Sequence, residues 1–367
     1  MSVIHDVTQI HQPVLADRCV ELLEPALVPV ERPVLVDATL GMGGHSELLL
    51  QRFPNLKIIG IDRDKDARTV AAKRLEPFKD RLEIVGATYG ELEEILAARG
   101  LTKIDGILAD LGVSSLQLDD PERGFAYSSP EAPLDMRMDQ AHGFTVADFL
   151  ALASPEEIAA VLRTYGEEKF AWQIAKNIVK TRATAPLVTT GELADLIKAT
   201  IPAPARRHGG NPSKRTFQAL RVAINDELHD LENFLAAALR ALKVGGRLVI
   251  ESYQSLEDRL VKAAFSPGIQ PEVPKGLPVV PPWAESWLGD LTRGAELADD
   301  GEIARNPRSQ SVRLRAVEKL REPEKTPQTE DRAHRISQEF PTLARLREET
   351  HFDPKTLVEP EKTRRNP

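Results

Sequence analysis

Three stretches of this chain carry residue types that could do chemistry. The first is Asp37-Ala38-Thr39-Leu40-Gly41-Met42-Gly43-Gly44-His45-Ser46, which follows a short apolar run and opens a helical one. Glycines there let the backbone turn sharply and admit a ligand close to the N–H groups of a helix start. The second is Asp62, at the end of the next apolar run. It lies about 20 residues past the first glycine, where an acid in such folds bonds a pair of ribose hydroxyls. The third is Asp110, which ends IDGILAD and opens a long loop through Asp139. That loop lacks any period of 2 or 3.6, yet it holds Gln117, Arg123, Phe125, Met136, Arg137 and Met138. A loop leaving the carboxyl end of a parallel strand is where open α/β proteins place their ligands. The spacing Gly41-x-Gly43-Gly44 departs from GxGxxG, so the glycines and Asp62 alone fit a nicotinamide cofactor as well as other adenosine-containing ligands.

His45 reads as a helix cap or structural donor. The sequence places no other histidine or acid at metal-ligand spacing near it, and His11, His142, His208 and His229 form no HxxxH or HxH pattern. Cys19 is the single cysteine, which rules out an intrachain disulfide and a thiolate cluster. No metal is expected.

The elements that must position these residues alternate. Val34–Thr39, Lys57–Asp62, Leu82–Gly86 and Ile104–Asp110 read as strands. Helical patterns at Ser46–Phe53, Asp66–Leu75 and Glu91–Arg99 separate them, so βαβ units and a parallel sheet are predicted. The pattern then becomes helical. Ser154-Pro155-Glu156-Glu157 is a helix start with a capping box, Phe170, Ile174 and Ile178 share a face, and Thr189 with Glu192 caps another helix. An all-helical insert at 141–213 is expected, closed by IPAPARRHGGNPSKR. One long helix, Phe217–Leu242, leads to Gly245-Gly246 and a strand at Arg247–Ser252. A helix over Ser255–Phe265 and a late antiparallel strand at Ser311–Glu318 follow, and residues 266–303 read as loop-rich. These elements divide the chain into a discontinuous domain, 1–140 with 214–320, and the insert. From Arg321 onward 20 of 47 residues are charged and six are proline. That tail, 321–367, is expected to be disordered apart from a short helix around Phe340–Glu349.

Composition supplies the remaining limits. The 367 residues are 41% hydrophobic and 28% charged, ordinary for globular domains. No window approaches a membrane span, and the opening residues lack a basic start with an apolar core, so a cytoplasmic location is expected. A net charge of −8 argues against a passive nucleic-acid coat protein. Two windows run against it. Residues 196–225 hold Lys198, Arg206, Arg207, Lys214, Arg215 and Arg221, and residues 303–315 hold four arginines, both without an acid. Both windows suit phosphate contact.

The 104–139 stretch, IDGILADLGVSSLQLDDPERGFAYSSPEAPLDMRMD, resembles the family of ribosomal RNA small-subunit methyltransferase H, the MraW-like enzymes. HQPVL at 11–15, YGEE at 165–168, FQALR at 217–221, SLEDRLVK at 255–262 and residues 306–315 match the same family, so the resemblance covers about residues 8–320. It implies a Rossmann-like class I S-adenosylmethionine-dependent methyltransferase sheet with the helical insert. It implies S-adenosylmethionine as cofactor and, as substrate, the N4 amine of a decoding-centre cytidine in 16S rRNA of the small ribosomal subunit. Cofactor contacts carried over by motif are Gly43, Gly44, His45, Asp62, Asp110 and Gln117, with Tyr89 where the family usually has phenylalanine. Asp110 is the best candidate near the reacting centre. It begins Asp110-Leu111-Gly112-Val113 rather than the Asp/Asn/Ser-Pro-Pro-aromatic motif of many amino-methylating enzymes, so no catalytic base is assigned. A second departure is Tyr253-Gln254 in place of Phe-His.

A stacked cytosine must be extruded before its amine can react. Phe125 and Arg137, with Tyr127 and Met136, are expected to wall the flipped base. Arg206, Arg207, Lys214 and Arg215 are expected to hold surrounding phosphates. Two other classes fit parts of the pattern: a different nucleic-acid amino-methyltransferase, and a non-catalytic RNA-binding ribosome-assembly protein.

Overall fold

The computed structural model describes residues 13–206, 211–270, 285–323 and 340–349. The chain divides into two compact units, one of residues 1–116 with 227–338 and the other of 117–226 with 339–367. In chain order the first unit begins with α1 (Ala16–Leu27), β1 (Val34–Asp37), α2 (Gly44–Arg52), β2 (Lys57–Ile61), α3 (Lys65–Arg74), β3 (Leu82–Val85), α4 (Leu92–Ala97) and β4 (Ile104–Asp110). After the short helix α5 (Ser115–Asp119) come α6 (Val146–Leu152), α7 (Pro155–Gly166), α8 (Ala171–Arg182), α9 (Thr190–Thr200), α10 (Ala203–Arg206) and α11 (Lys214–Asn225). The first unit resumes with α12 (Glu227–Ala241), β5 (Leu242–Ser252), α13 (Ser255–Ile269), β6 (Leu288–Asp290), α14 (Asp300–Arg305) and β7 (Arg313–Lys319). The second unit also holds α15 (Pro341–Glu349).

The first unit is built on a seven-stranded sheet of order β3-β2-β1-β4-β5-β7-β6. β3, β2, β1, β4 and β5 run parallel, and β7 is antiparallel to both β5 and β6. Ile104 through Ala109 are all buried, as a central strand covered on both faces requires. One face is closed by α1 and α2, whose Cys19, Leu22, Leu23, Leu27, Leu49 and Leu50 pack with Leu35, Leu108, Val249 and Leu314. Strand order reverses between β1 and β4, so their carboxyl ends flank the switch point at which open α/β sheets bind ligands.

The parallel strands and the antiparallel β7 follow the pattern expected from sequence. Three differences have physical causes. The expected single helix over 217–242 is two helices, because Asp226 takes a left-handed φ of 54° and ends α11. The two helices belong to different units. β5 begins at Leu242, five residues early, because Gly245 at φ 83° absorbs a register irregularity opposite Ile104 and Gly106. The stretch 266–303, expected to be loop-rich, holds the last turn of α13, the three-residue β6, too short to show a period, and the start of α14.

The second unit is wider than the expected 141–213 insert. Residues 117–140 and 214–226 belong to it, because α11 packs on α7 and the loop after α5 is tied to α11. Asn225 makes that tie: its Oδ1 accepts from Met138 N at 2.8 Å and its Nδ2 donates to the Met136 carbonyl at 2.8 Å. Arg123, buried, donates to the carbonyls of Arg137 and Met138 at 3.1 and 2.9 Å. Ser154 caps α7 as expected, but Glu157 does not close a capping box. Its Oε1 instead accepts from Thr342 N at 2.7 Å, anchoring α15. That helix lies where a short one was expected. The rest of the tail expected to be disordered, residues 324–339 and 350–367, lies outside the described residues.

Gly124 offers a test of how rigid the tied loop is. Its φ is 72°, and a Cβ there would sit 2.1 Å from the Pro133 carbonyl oxygen, a backbone atom. Gly124→Ala should therefore cost more than about 2 kcal/mol, as positive-φ strain and a clash add. Urea denaturation measures it, and a loss below about 1 kcal/mol would show that the loop adjusts at little cost.

Candidate active site

The carboxyl ends of β1 and β2 carry the glycine loop and Asp62. Gly41 and Gly43 have φ of 53° and 81°, and a Cβ on Gly43 would lie 2.7 Å from Leu75. Only glycine suits that position, so the turn into α2 keeps its backbone bare. Asp62 fastens the loop. Its Oδ2 accepts from Gly41 N at 2.7 Å and its Oδ1 from Asp64 N at 2.8 Å. Each oxygen retains acceptor capacity for a ligand hydroxyl. Withdrawal from water pushes the Asp62 carboxyl up to about 6, against the pull of its two backbone donors. Asp37, buried at the end of β1, accepts from the Ser46 hydroxyl at 2.6 Å and so pins the first turn of α2. Burial raises the Asp37 carboxyl above its ordinary range.

The tips of β4 and β5 form the other half. Asp110 N donates to Thr39 Oγ1 at 2.6 Å, tying the end of β4 to the loop after β1. The Tyr253 hydroxyl donates to Asp110 Oδ1 at 2.8 Å. Burial raises the Asp110 carboxyl, while His45 and this hydroxyl hold it down. Tyr253 N and Gln254 N both donate to Glu257 Oε2, at 2.9 and 3.0 Å, which fixes the start of α13. Tyr89 packs edge-on against Phe234 with centroids 5.4 Å apart, and its hydroxyl donates to the Glu227 carbonyl at 3.2 Å.

A matching family model, the MraW methylase family, covers residues 8–320. The chain belongs to this family. It is 53% identical over 315 residues to Ribosomal RNA small subunit methyltransferase H of Renibacterium salmoninarum, covering 85% of this chain and 95% of that protein. The same-named protein of Nocardioides sp. is 55% identical over 311 residues, covering 84% and 96%. A solved rRNA methylase structure from Streptococcus thermophilus aligns over 87% of this chain and all of that one, at 12% identity and a TM-score of 0.38. The protein is a methylase by family, built on the mostly parallel seven-stranded sheet described above.

The expected site residues of this methylase fall into two groups. Gly43, Gly44, His45, Asp62, Tyr89 and Asp110 lie in the first unit, and the bonds above join the glycine loop to Asp62 and, through Thr39, to Asp110. Gln117 is buried and falls in the second unit. Phe125 is also buried there, with the Arg123 guanidinium 5.8 Å from its ring centroid. Arg137 is engaged twice by Asp135, at 2.8 and 2.9 Å. Phe125 and Arg137 hold the loop together rather than project from it. Arg206 is half-buried, Lys214 and Arg215 are exposed, and Arg207 lies outside the described residues.

Sequence reasoning missed the neighbours of His45. His45 Nε2 lies 3.1 Å from the Val14 carbonyl oxygen and 3.5 Å from Glu251 Oε2, and Cys19 completes a fully buried cluster. Cys19, His45 and Glu251 are metal-ligating types with donor atoms within 4.8 Å of one another. Donors of a tetrahedral zinc site stand closer, about 3.3–3.8 Å apart for bonds of about 2.0–2.3 Å. A protonated acid accounts for the cluster as it stands. Neither Glu251 oxygen meets a donor in hydrogen-bond geometry, and burial with the neighbouring Asp110 pushes the carboxyl well above its usual range. The only sequence signal was an acid at a strand position flanked by apolar residues, Val249-Ile250-Glu251.

That raised acid makes stability depend on pH in a definite direction. The folded protein holds the Glu251 proton more tightly than the unfolded chain does. Stability is therefore lost as pH rises above the ordinary glutamate value of about 4.3 towards the raised folded value. Glu251→Gln removes that loss. The variant should melt with the wild type near pH 4 and above it near pH 7.5. A variant that melts lower at both values would show that Glu251 is held ionised by its neighbours.

Proposed function

We propose that this methylase transfers a methyl group from S-adenosylmethionine to the N4 amine of a decoding-centre cytidine in 16S rRNA of the small ribosomal subunit. The observation that carries the substrate class is the identity, 53% across nearly the whole length, with relatives named for small-subunit ribosomal RNA. The geometry of the strand tips supports the chemistry. When bound, the cofactor supplies a methyl group made electrophilic by its sulfonium. The bare turn at Gly41–Gly44 allows close approach, and Asp62 offers its remaining lone pairs to ribose hydroxyls. Asp110 stands at the end of β4 with its carboxylate oriented by Tyr253 and its backbone by Thr39. An exocyclic amine is a poor nucleophile because its lone pair is delocalised into the ring. A carboxylate accepting one of its hydrogens helps localise that pair, and fixed orientation supplies much of the remaining rate gain. Asp110 carries that role in this reading, and Tyr253 positions it.

No helix of the described residues is long and apolar enough to cross a membrane, consistent with work on ribosomes in the cytoplasm. The helical unit and its exposed Lys214 and Arg215 are assigned to RNA phosphates. Phe125 and Arg137, being committed to the loop, are assigned to its shape instead of to base contact.

Two experiments test the reading. In cells lacking the protein, 16S rRNA digests analysed by mass spectrometry should lose one N4-methylated cytidine, and re-expression should restore it. An unchanged digest removes the proposed target. In the second, calorimetry should show that Asp62→Ala weakens S-adenosylmethionine binding by roughly 1.5–3 kcal/mol, the scale of hydrogen bonds to a charged acceptor. The wild type should itself bind less tightly below about pH 6, as the Asp62 carboxyl takes up a proton and its acceptor strength falls. Affinity that is flat from pH 5 to 8 in wild type and unchanged in the variant would take Asp62 out of the pocket.

A further inference from the structure

We propose that the exposed face of α8 is an RNA-binding surface, on which Trp172 stacks against an unpaired base while Lys176 and Lys180 hold the flanking phosphates. The proposal rests on the reading of the protein as an rRNA methylase and names where the helical unit would grip its substrate.

The face is set by the packing of α8. Ala171, Ile174, Ala175 and Ile178 are buried, and α7 and α9 cover that side. Trp172 is left 36% exposed on the opposite side, with Lys176 Nζ 5.7 Å from its ring centroid. Trp172, Lys176 and Lys180 follow one another at four-residue spacing. They form one row along the helix, with about 6 Å of rise between neighbours. An exposed tryptophan with a cation beside it presents a stacking platform next to a phosphate-binding charge. Proteins that bind single-stranded nucleic acid combine these two features.

Within the row's own stretch of sequence the charge is of one sign. Residues 169–191 contain no acid, a third such run besides 196–225 and 303–315. Among the described residues neither Lys176 nor Lys180 makes an ion pair, whereas Arg52 is matched by Glu24 and Arg240 by Glu93. In a chain of net charge −8 a merely solvated face would carry both signs. The row also has a continuation. The Arg215 guanidinium donates to the Glu167 carbonyl at 2.9 Å, which brings the start of α11, with exposed Lys214, to the turn before α8 that carries exposed Lys169. The result is a basic track with one aromatic step.

The test uses the full chain. Small subunits from cells lacking the protein are bound over a range of salt. A uridine decamer is titrated separately while tryptophan emission is followed. The decamer should quench the emission of wild type and of Trp283→Phe alike, and Trp172→Phe should remove most of that quench, Trp287 being buried. Lys176→Gln with Lys180→Gln should lower the slope of log affinity against log salt by about 1.4, at about 0.7 per single-strand phosphate contact. Trp172→Ala should weaken subunit binding fivefold or more. All variants should bind S-adenosylmethionine as wild type does, which separates these effects from misfolding. Variants that bind and methylate subunits like wild type at every salt would overturn the α8 proposal and leave the rRNA reading standing. A wild type that neither binds nor methylates subunits would overturn the rRNA reading itself. If the variants lose subunit binding while the decamer never quenches wild-type emission, the occupant of α8 is a ribosomal protein and the RNA assignment is wrong.

Discussion

The first unit depends on one carboxylate, that of Asp62. It sits where β2 ends and accepts from the backbone of the loop that follows β1 and from its own turn into α3. Beyond the ends of two adjacent parallel strands the sheet's own hydrogen bonds stop, so the loops there are held by other ties. Asp62 makes such a tie on one side of β1. On the other, Asp110 N and Thr39 Oγ1 join β1 to β4. The glycine turn is held from both sides, and its left-handed residues are kept in conformations that any side chain would resist.

This arrangement concentrates carboxylates at one end of the sheet, Asp37 and Glu251 buried and Asp62 and Asp110 half-buried. Asp37, Asp62, Asp110 and Glu251 stand at or near the ends of neighbouring strands, and desolvation raises all four. Three are compensated by donors: the Ser46 hydroxyl, the backbone at 41 and 64, and the Tyr253 hydroxyl. Glu251 has no such donor and is best understood as a neutral acid beside His45 and Cys19. Uncompensated polar burial of this kind costs stability. The Tyr253 hydroxyl adds one more group that orients Asp110.

The second unit solves a different problem, that of ordering a long loop with little regular structure. The loop from Gln117 to Gln140 would expose many backbone groups if left alone. Arg123 and Asn225 satisfy several at once, reaching carbonyls and an amide at 136, 137 and 138. Met136 accepts a left-handed φ of 63° within that framework. Arg137 and Phe125, which stand out in the sequence as substrate contacts, belong to the same framework. On the polar side of α8, Lys176 and Lys180 make no ion pair among the described residues.

Much of the site could be read from residue order. Asp37, Gly41, Gly43, Asp62 and Asp110 each close an apolar run or open a helix, and such signals are local: a buried strand needs apolar residues, and a tight turn needs glycine. Periodicity likewise revealed the parallel strands and the amphipathic helices, because burial of one face leaves its period in the chain. What the sequence could not reveal was which distant residues meet. The break at Asp226, the pairing of Tyr253 with Asp110 across 143 positions, and the Cys19–His45–Glu251 cluster arise only when β5 is laid beside β4 and α1 crosses them. The residues themselves determined where the chain turns and which faces it buries, since those follow from backbone sterics and hydrophobic period. Tertiary structure alone decided which side chains share a hydrogen bond or a proton, because that depends on strand neighbours that no short-range pattern encodes.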